Sequence, residues 1–122
     1  MALPALLQAE QYQKRAHHVG FDWQDIRGVR EKLDEELREV DAAVGPADLS
    51  SEIGDLLFAV VNLARWHKLD AESALREANA RFYKRFSSIE AAARSQGRSL
   101  SDLTLDEMEA LWQQAKREER GG

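Results

Sequence analysis

Two pairs of acidic residues have a spacing that places each pair on one face of a helix. Glu36 and Glu39 form the first pair, and Glu52 and Asp55 form the second. Residues three apart in an α-helix lie about 60° apart around the axis and about one turn along it. Four carboxylates that converge repel one another and lose hydration unless cations lie between them. Mg²⁺ and Mn²⁺, which prefer oxygen ligands, are the natural cations for such a group.

The two pairs differ in how strongly they indicate a metal site. The segment with Glu36 and Glu39 has a pattern that is common on solvated helix faces, and alone it favours that interpretation. The second pair flanks Gly54, and a glycine inside a helix costs about 1 kcal/mol relative to alanine. It also lies beside a long apolar run, so helix stability does not explain its composition. Together the two pairs favour a metal site over two solvated faces.

Three basic residues, Arg81, Lys84 and Arg85, have the chemistry to bind a polyphosphate. One guanidinium group can bind two phosphate oxygens at once. Arg81 and Arg85 flank a stripe formed by Phe82 and Phe86. Taken alone, these cations favour another interpretation, in which they form ion pairs with acidic helices or are simply solvated. No Glu-x-x-His pattern occurs, which argues against the di-iron sites that helical bundles build from that motif.

The composition of the 122-residue chain limits the classes of protein to consider. Its length fits one domain, which we assign to residues 1–122. A formal net charge of −5 argues against a nucleic-acid-binding protein. The absence of cysteine excludes a thiol nucleophile, a disulfide framework and a thiolate zinc site. No apolar run approaches the ~20 residues that span a bilayer, and the first residues do not resemble a signal peptide, so we expect a cytoplasmic protein without membrane contact.

The spacing of apolar residues predicts an all-α domain of about five helices. The predicted helices cover residues 4–18, 23–44, 48–68, 71–95 and 104–119, with alternative starts at 24 and 49 for the second and third. Glycine and proline are typical of the ends of helices. A helix typically starts at a residue whose side chain accepts hydrogen bonds from the N–H groups of the first turn. The expected boundary residues are Gly20, Gly45, Pro46, Asp70, Gly97, Thr104 and Glu107.

Apolar stripes on three of these helices predict the core of a helical bundle. The stripes consist of Val29, Leu33, Leu37, Val40 and Val44 on the second helix, Ile53, Leu56, Leu57, Val60, Val61, Leu63 and Ala64 on the third, and Leu75, Phe82, Phe86 and Ile89 on the fourth. The stripe of the third helix is wide enough to place that helix centrally. Glu36 and Glu52 lie at the edges of their stripes, so packing of the second and third helices would bring both carboxylate pairs to the rim of one groove.

The chain resembles the MazG family of nucleoside triphosphate pyrophosphohydrolases. The family signature is E-E-x-x-E, a spacer and E-x-x-D, which residues 35–39 and 52–55 match with a spacer of twelve residues. The resemblance continues through residues 20–23, 54–65, 74–79, 81–86 and 107–112. It is strongest to the C-terminal catalytic domain of the two-domain bacterial enzymes. The chain departs from these relatives in its single copy of the domain, in Ser51 where a second glutamate is usual, and in Arg81 where lysine is frequent.

The resemblance implies an activity and a set of site residues. The implied reaction is Mg²⁺-assisted hydrolysis of a ribo- or deoxyribonucleoside triphosphate to the monophosphate and pyrophosphate, with Mn²⁺ as a substitute and cleaning of the nucleotide pool as its purpose. The implied metal ligands are Glu36, Glu39, Glu52 and Asp55. Glu35 is the implied residue that orients the attacking water or accepts its proton. The implied triphosphate-binding residues are Lys32, Arg81, Lys84 and Arg85, and Trp112 is implied to stack on the nucleobase. The resemblance also implies a helical bundle completed by dimerisation, as a homodimer or a dimer of dimers.

Two other classes of protein stay open on the sequence. A catalytically silent nucleotide-binding or regulatory helical module would keep the fold without turnover. The acidic residues at all four implied ligand positions argue against it, because a degenerate copy usually loses one of them. A helical interaction protein with solvated charged faces is the second class, and it predicts that Mg²⁺ does not change the melting temperature.

Overall fold

The structure, a computed structural model, describes residues 3–121 as five α-helices and one short 3-10 helix. The α-helices are α1 (Ala5–His18), α2 (Ile26–Ala42), α3 (Pro46–Trp66), α4 (Ala71–Ser95) and α5 (Leu105–Gly121), and the 3-10 helix covers Leu100–Asp102. These residues contain no β-strand, which confirms the all-α prediction. None of the described helices has the length and apolar character needed to cross a membrane.

The chain divides after Leu75 into two compact units. The N-terminal unit contains α1, α2, α3 and the start of α4, and the C-terminal unit contains the rest of α4, the 3-10 helix and α5. In the N-terminal unit α3 packs against both α1 and α2. Val29 of α2 and Val61 of α3 are each only 1% exposed. α3 is therefore the central helix of this unit, and the assignment of the whole chain to one domain stays a prediction.

α2 is shorter at both ends than the sequence predicts. The apolar pattern predicts a start at residue 23 or 24, but Asp25 is the N-cap and the helix begins at Ile26. The Asp25 carboxylate accepts a hydrogen bond from the N–H of Arg27 at 2.9 Å, which satisfies one of the free donors of the first turn. The helix ends at Ala42, two residues before its predicted end at Val44.

α3 begins and ends earlier than the sequence predicts. Gly45 adopts a φ of 84°, and Pro46 occupies the first helical position, where the N–H that proline lacks is not needed. The helix therefore starts two residues before the predicted residue 48. It ends at Trp66 because Lys68, the predicted last residue, has a left-handed φ of 60°.

The predicted N-caps of the last two helices are confirmed. The Asp70 carboxylate accepts hydrogen bonds from the N–H of Glu72 at 3.2 Å and from the hydroxyl of Ser73 at 2.6 Å. Thr104 and Glu107 form the expected capping box, in which each side chain accepts a hydrogen bond from the N–H of the other, at 2.9 and 3.1 Å. α1 begins one residue later than predicted and α5 ends two residues later.

Parts of the apolar stripes lie at the surface of the single chain, which corrects the prediction that all of them are core. Leu37 on α2 is 48% exposed, and Leu57 and Val60 on α3 are 53% and 44% exposed. Phe82 and Phe86 on α4 are also exposed. The stripe of α3 is wider than the surface that α1 and α2 cover, so its remainder faces outward.

The C-terminal unit has a small core of its own. Ile89 and Ala93 of α4 and Leu103 after the 3-10 helix are almost fully buried. Leu111 and Trp112 of α5 pack against them. This packing holds the aromatic ring of Trp112 near the basic residues of α4.

Candidate active site

Three of the four predicted metal ligands come together where α2 and α3 pack. One carboxylate oxygen from each of Glu36, Glu39 and Glu52 lies within 4.8 Å of the other two. Glu36 and Glu39 are one turn apart on α2, and the packing of α3 against α2 brings Glu52 to them. Glu36 is buried, Glu52 is half-buried and Glu39 is exposed. We call these three residues the carboxylate cluster, and it lies at the edge of the buried region.

The carboxylates of the cluster interact unfavourably with one another. A hydrogen bond between the carboxyl groups of Glu39 and Glu52, together with partial burial and the negative charges of Glu39 and Asp55, raises the pKa of Glu52. Oε2 of Glu36 and Oε2 of Glu52 are buried and have no hydrogen-bond partner in the described part of the chain. Buried acceptors without partners and converging negative charges both destabilise a fold. The ammonium group of Lys32, which contacts Oε1 of Glu36, offsets only part of this negative charge.

The fourth predicted ligand, Asp55, lies close to the cluster without belonging to it. Asp55 follows Glu52 by one turn of α3, but its carboxylate is not among the three oxygens that converge. It is exposed and lines a cavity whose wall also includes Glu36. Its charge contributes to the raised pKa of Glu52. The assignment of Asp55 as a metal ligand stays a prediction.

Lys32 lies about one turn before Glu36 on α2, and Glu35 directly precedes Glu36. Nζ of Lys32 is 2.9 Å from Oε1 of Glu36 and 3.7 Å from Oε2 of Glu35. The hydrogen bond to Glu36 and the charges of the neighbouring glutamates raise the pKa of Lys32. The Glu35 carboxylate is about half exposed, so it is open to solvent beside a charged ammonium group. Both residues therefore lie beside the carboxylate cluster, and their roles toward phosphate and water stay predictions.

The cluster fits a hard divalent cation. Mg²⁺ and Mn²⁺ bind carboxylate oxygens, and Mg²⁺ usually keeps several of its waters. The unpartnered oxygens of Glu36 and Glu52 belong to two of the three converging carboxylates. A cation between them would offset the mutual repulsion and supply both buried oxygens with a partner. The acidic group can therefore bind a divalent metal ion.

In the C-terminal unit the structure brings two predicted nucleotide-binding residues together. The guanidinium of Arg85 lies 5.4 Å from the ring centroid of Trp112, and Phe82 packs on the same ring at 5.6 Å. Glu119, to which sequence reasoning assigned no role, accepts hydrogen bonds from Nε of Arg85 at 3.1 Å and from Nη2 at 2.9 Å. These two bonds hold the guanidinium plane in position beside the ring.

Two further predicted triphosphate-binding residues, Arg81 and Lys84, are exposed on α4. Neither forms an ion pair with a described residue. The hydrogen bond from Arg85 is the main cause of the lowered pKa of Glu119, and the charges of Lys84 and Arg81 lower it further. Lys84 and Arg85 line the same small cavity against α5. Of the three predicted triphosphate-binding residues on α4, Arg85 is the one that an ion pair holds in position among the described residues.

A cavity of about 520 Å³ lies in the N-terminal unit, and sequence reasoning did not foresee it. Four aromatic residues, Tyr12, Phe21, Trp23 and Phe58, line it together with Lys32, Glu36 and Asp55. Gly28 allows the Trp23 ring to pack closely on α2, because a Cβ at that position would lie 2.9 Å from the ring. The volume is within the range of about 300–1,000 Å³ that is usual for small-molecule sites.

A polar network closes another part of the cavity wall. Nη2 of Arg65 donates to Oδ1 of Asp22 at 2.8 Å and to Oδ1 of Asn62 at 2.7 Å. Burial disfavours the charge of Asp22, but its bonds with Arg65, the N–H of Trp23 and His17 outweigh burial and lower its pKa. These residues belong to segments that resemble the family, yet their spacing alone indicates no shared site. Contact between residues 43 positions apart is visible only in the folded chain.

The packed helices and their acidic cluster define an all-α domain with a candidate divalent-metal centre. The family model described as the MazG nucleotide pyrophosphohydrolase domain matches residues 24–88, which is more than half of the chain. The matched segment contains the whole cluster, together with Asp55, Arg81, Lys84 and Arg85. The chain belongs to the MazG nucleotide pyrophosphohydrolase domain family, which confirms the resemblance found in the sequence.

Two relatives are similar over almost the whole chain. The chain is 44% identical over 114 residues to the nucleoside triphosphate pyrophosphohydrolase/pyrophosphatase MazG of Thermotoga maritima, a match covering 93% of this chain and 45% of the relative. It is 45% identical over 123 residues to a nucleoside triphosphate pyrophosphohydrolase of Escherichia coli K12, covering 97% of this chain and 47% of the relative. The chain thus spans about half the length of these relatives.

Proposed function

We propose that this chain is a Mg²⁺-dependent nucleoside triphosphate pyrophosphohydrolase. Its reaction would convert a ribo- or deoxyribonucleoside triphosphate and water to the monophosphate and pyrophosphate, with cleaning of the nucleotide pool in the cytoplasm as its purpose. The observation that carries the proposal is the carboxylate cluster, with two buried oxygens that lack partners, in a chain of this family. The names of the two relatives support the same reaction.

Glu36, Glu39 and Glu52, with Asp55 beside them, would hold the divalent cation in this proposal. Mg²⁺ fits this all-oxygen set, and Mn²⁺ is the natural substitute. When bound, the cation supplies positive charge that offsets the negative charge of the phosphate groups. Lys32 adds a side-chain positive charge at the same place, because it is 2.9 Å from Oε1 of Glu36.

The remaining predicted residues would bind the substrate and handle the proton. Arg81, Lys84 and Arg85 would hold the triphosphate, and Trp112 would contact the nucleotide. Glu35 would orient the attacking water or accept its proton while the water oxygen bonds to the α-phosphorus. The bond from the α-phosphorus to the bridging oxygen breaks, and pyrophosphate leaves with the electron pair. The half-exposed carboxylate of Glu35 suits this role, since it is accessible to water.

The proposal includes a homodimer or a dimer of dimers. Leu37 of α2 and Leu57 and Val60 of α3 are large apolar side chains that the single chain leaves exposed. Exposed apolar residues that cluster on one helix face are typical of protein interfaces. A second copy of the chain would remove this surface from water.

Product analysis tests the proposed reaction directly. The purified chain is incubated with Mg²⁺ and each ribo- and deoxyribonucleoside triphosphate, and monophosphate, diphosphate, pyrophosphate and phosphate are separated. We expect monophosphate and pyrophosphate in equal amounts, loss of turnover in Glu39→Gln and Asp55→Asn, and normal turnover in the control Glu31→Gln on the exposed side of α2. Absence of turnover with both Mg²⁺ and Mn²⁺ would instead favour a nucleotide-binding module without catalysis.

A further inference from the structure

The connector between α1 and α2 has an unusual pattern of burial. The side chain of Asp22 is only 9% exposed, whereas the aromatic residues on either side of it, Phe21 and Trp23, are 80% and 44% exposed. In most proteins the aromatic side chains are the more buried and the carboxylates the more exposed. The fold therefore buries a charge at this point and leaves two aromatic rings accessible, which hydrophobic burial alone does not explain.

Both oxygens of the buried Asp22 carboxylate have hydrogen-bond partners. Oδ1 accepts from Nη2 of Arg65 on α3 and from the N–H of Trp23, each at 2.8 Å. Oδ2 lies 2.8 Å from Nδ1 of His17 on α1, and that nitrogen donates, because a carboxylate can only accept. We call the contact between Asp22 and Arg65 the Asp22 bridge. It connects the segment between α1 and α2 to α3.

The Asp22 bridge attaches an irregular segment to the central helix of the N-terminal unit. Residues 19–25 form neither a helix nor a strand. The side chains of Arg65 and Asp22 are 13% and 9% exposed, so water screens their attraction only weakly. Arg65 is fixed in turn, because its Nε and Nη2 donate to Oδ1 of Asn62, one turn earlier on α3, at 3.0 and 2.7 Å. The bridge therefore ends on a side chain that α3 itself holds in place.

The ring of Trp23 is constrained from two sides. Its N–H donates to the Asp22 carboxylate, and a side-chain hydrogen bond to a neighbouring N–H restricts the local backbone. On the other side the ring packs against Gly28, where a Cβ would lie 2.9 Å from it. The direction of the Trp23 side chain therefore depends on both α2 and the Asp22 bridge.

The two aromatic residues beside Asp22 belong to the wall of the cavity of about 520 Å³. Phe21 and Trp23 line it, and so do Glu36 and Asp55 of the proposed metal centre. A substrate whose phosphates lie at the metal centre would extend into this cavity and meet the aromatic residues there. The Asp22 bridge thus acts on the shape of the cavity wall at a distance from the acidic residues.

We propose that Asp22 is a positioning residue for the substrate, because its bridge to Arg65 holds Phe21 and Trp23 in place before the substrate binds. The inference rests on the proposed function, since it assigns the cavity to the substrate of that reaction. Side chains that are already ordered lower the entropy cost of binding. Loss of the bridge should therefore weaken substrate binding and leave the metal centre and the chemical step largely unchanged.

Asp22→Asn and Arg65→Gln each break the ion pair, and the double variant removes both charges, so that no unpaired charge is buried. In the double variant we expect KM for the best triphosphate to rise about tenfold, with kcat changed less than about twofold. Calorimetric titration measures Kd for the α,β-methylene triphosphate analogue that the wild-type chain binds most tightly, and this Kd should rise by the same factor. The double variant should bind no worse than the weaker single variant, since the two groups act together.

A second ion pair of the same connector provides the matched control. Asp25 pairs with Arg27 at 3.1 Å, and their side chains are 48% and 83% exposed. Asparagine is as good an N-cap as aspartate, so Asp25→Asn combined with Arg27→Gln should preserve the start of α2. This control should keep the wild-type KM and Kd. Without nucleotide, Mg²⁺ should raise the melting temperature equally in the wild type, the control and the double variant at Asp22 and Arg65.

A spectroscopic signal reports the position of Trp23 directly. In the ¹⁵N-labelled chain the indole N–H signal of Trp23 is assigned through its absence in Trp23→Phe. We expect this signal to shift and broaden in nucleotide-free Asp22→Asn, while the signal of Trp112 in the C-terminal unit stays in place. A general loss of folded protein would change both signals.

The outcomes separate this inference from the proposed function. If Kd for the analogue rises in the double variant but the wild-type chain hydrolyses no triphosphate, the reaction is wrong and the positioning role of Asp22 stands. Unchanged KM and Kd in the double variant would overturn that role, and so would a loss of the melting response to Mg²⁺, because the bridge would then support the metal centre. A wild-type chain that binds none of the analogues would overturn both proposals.

Discussion

Lys32 and Glu36 form an ion pair that uses only one of the two carboxylate oxygens of Glu36. Nζ of Lys32 lies 2.9 Å from Oε1, whereas Oε2 is buried without a partner among the described residues. The hydrogen bond with Glu36 raises the pKa of Lys32 above its ordinary value. One carboxylate can thus contact a side-chain cation through one oxygen and a metal ion through the other.

Lys32→Met should have opposite effects on metal and on substrate. Without the ammonium group, Glu36 carries an uncompensated charge, so we expect Mg²⁺ or Mn²⁺ to bind more tightly to the nucleotide-free protein. The same change removes a phosphate-binding charge and should raise KM for the triphosphate about tenfold, which corresponds to about 1.4 kcal/mol. Calorimetric titration and steady-state kinetics measure the two effects. Lys14→Met, which removes an exposed lysine of α1, should change neither.

Glu52→Gln should stabilise the metal-free protein and remove its response to metal. The raised pKa of Glu52 shows that its charge is unfavourable beside Glu39, so a neutral amide should raise the melting temperature without divalent ions. The wild-type chain should gain about 2.7 kcal/mol at a metal concentration 100 times Kd, and the variant should gain far less. Melting curves with and without Mg²⁺ measure both. A variant that responds to Mg²⁺ like the control Glu31→Gln would show that Glu52 is not a ligand.

Arg85→Lys should weaken substrate binding although it keeps the positive charge. Arg85 binds Glu119 through two nitrogens, which orients its planar group beside Trp112, and lysine cannot reproduce two parallel hydrogen bonds. We expect a KM for the triphosphate about tenfold higher with a smaller change in kcat. Arg94→Lys, at the exposed end of α4, is the control. Unchanged KM in Arg85→Lys would remove Arg85 from the triphosphate-binding set.

Leu57→Glu should separate the proposed dimer into single chains. Leu57 is 53% exposed in the single chain and lies on the apolar face of α3, so a charge there would be buried without a partner in a dimer. Sedimentation velocity at several concentrations measures the mass of the particle. Leu69→Glu changes a leucine that is 59% exposed just after α3 and should leave the mass unchanged. A dimer that survives Leu57→Glu would place the interface elsewhere.

Acid should destabilise the C-terminal unit through Glu107. The guanidinium of Arg98 and the N–H of Thr104 hold the pKa of Glu107 at about 2, below its ordinary value of 4.5. The unfolded chain therefore binds this proton more readily, so the stabilisation is complete above pH 4.5 and is lost as the pH falls towards 2. Glu107→Gln should melt at a lower temperature than the wild type at pH 7, and the two should converge in acid. A constant difference between them would contradict this assignment.

Local patterns in the sequence were sufficient to predict the helices and the residues of the acidic group. The caps at Asp70 and at Thr104 with Glu107 depend on contacts within one turn, so residue type and spacing suffice to predict them. The same holds for Glu36 and Glu39, because a spacing of three on one helix fixes their common face. The family resemblance rests on these local patterns and on their order along the chain.

The contacts between groups on different helices became visible only in the folded chain. Glu52 rather than Asp55 joins the other two carboxylates, Arg85 binds Glu119, and the Gln13 amide meets a carbonyl 45 residues away. These contacts depend on the rotation and offset of one packed helix against the next. Buried side chains such as Val29 and Val61 help to set that geometry, and a periodic pattern of apolar residues does not specify it.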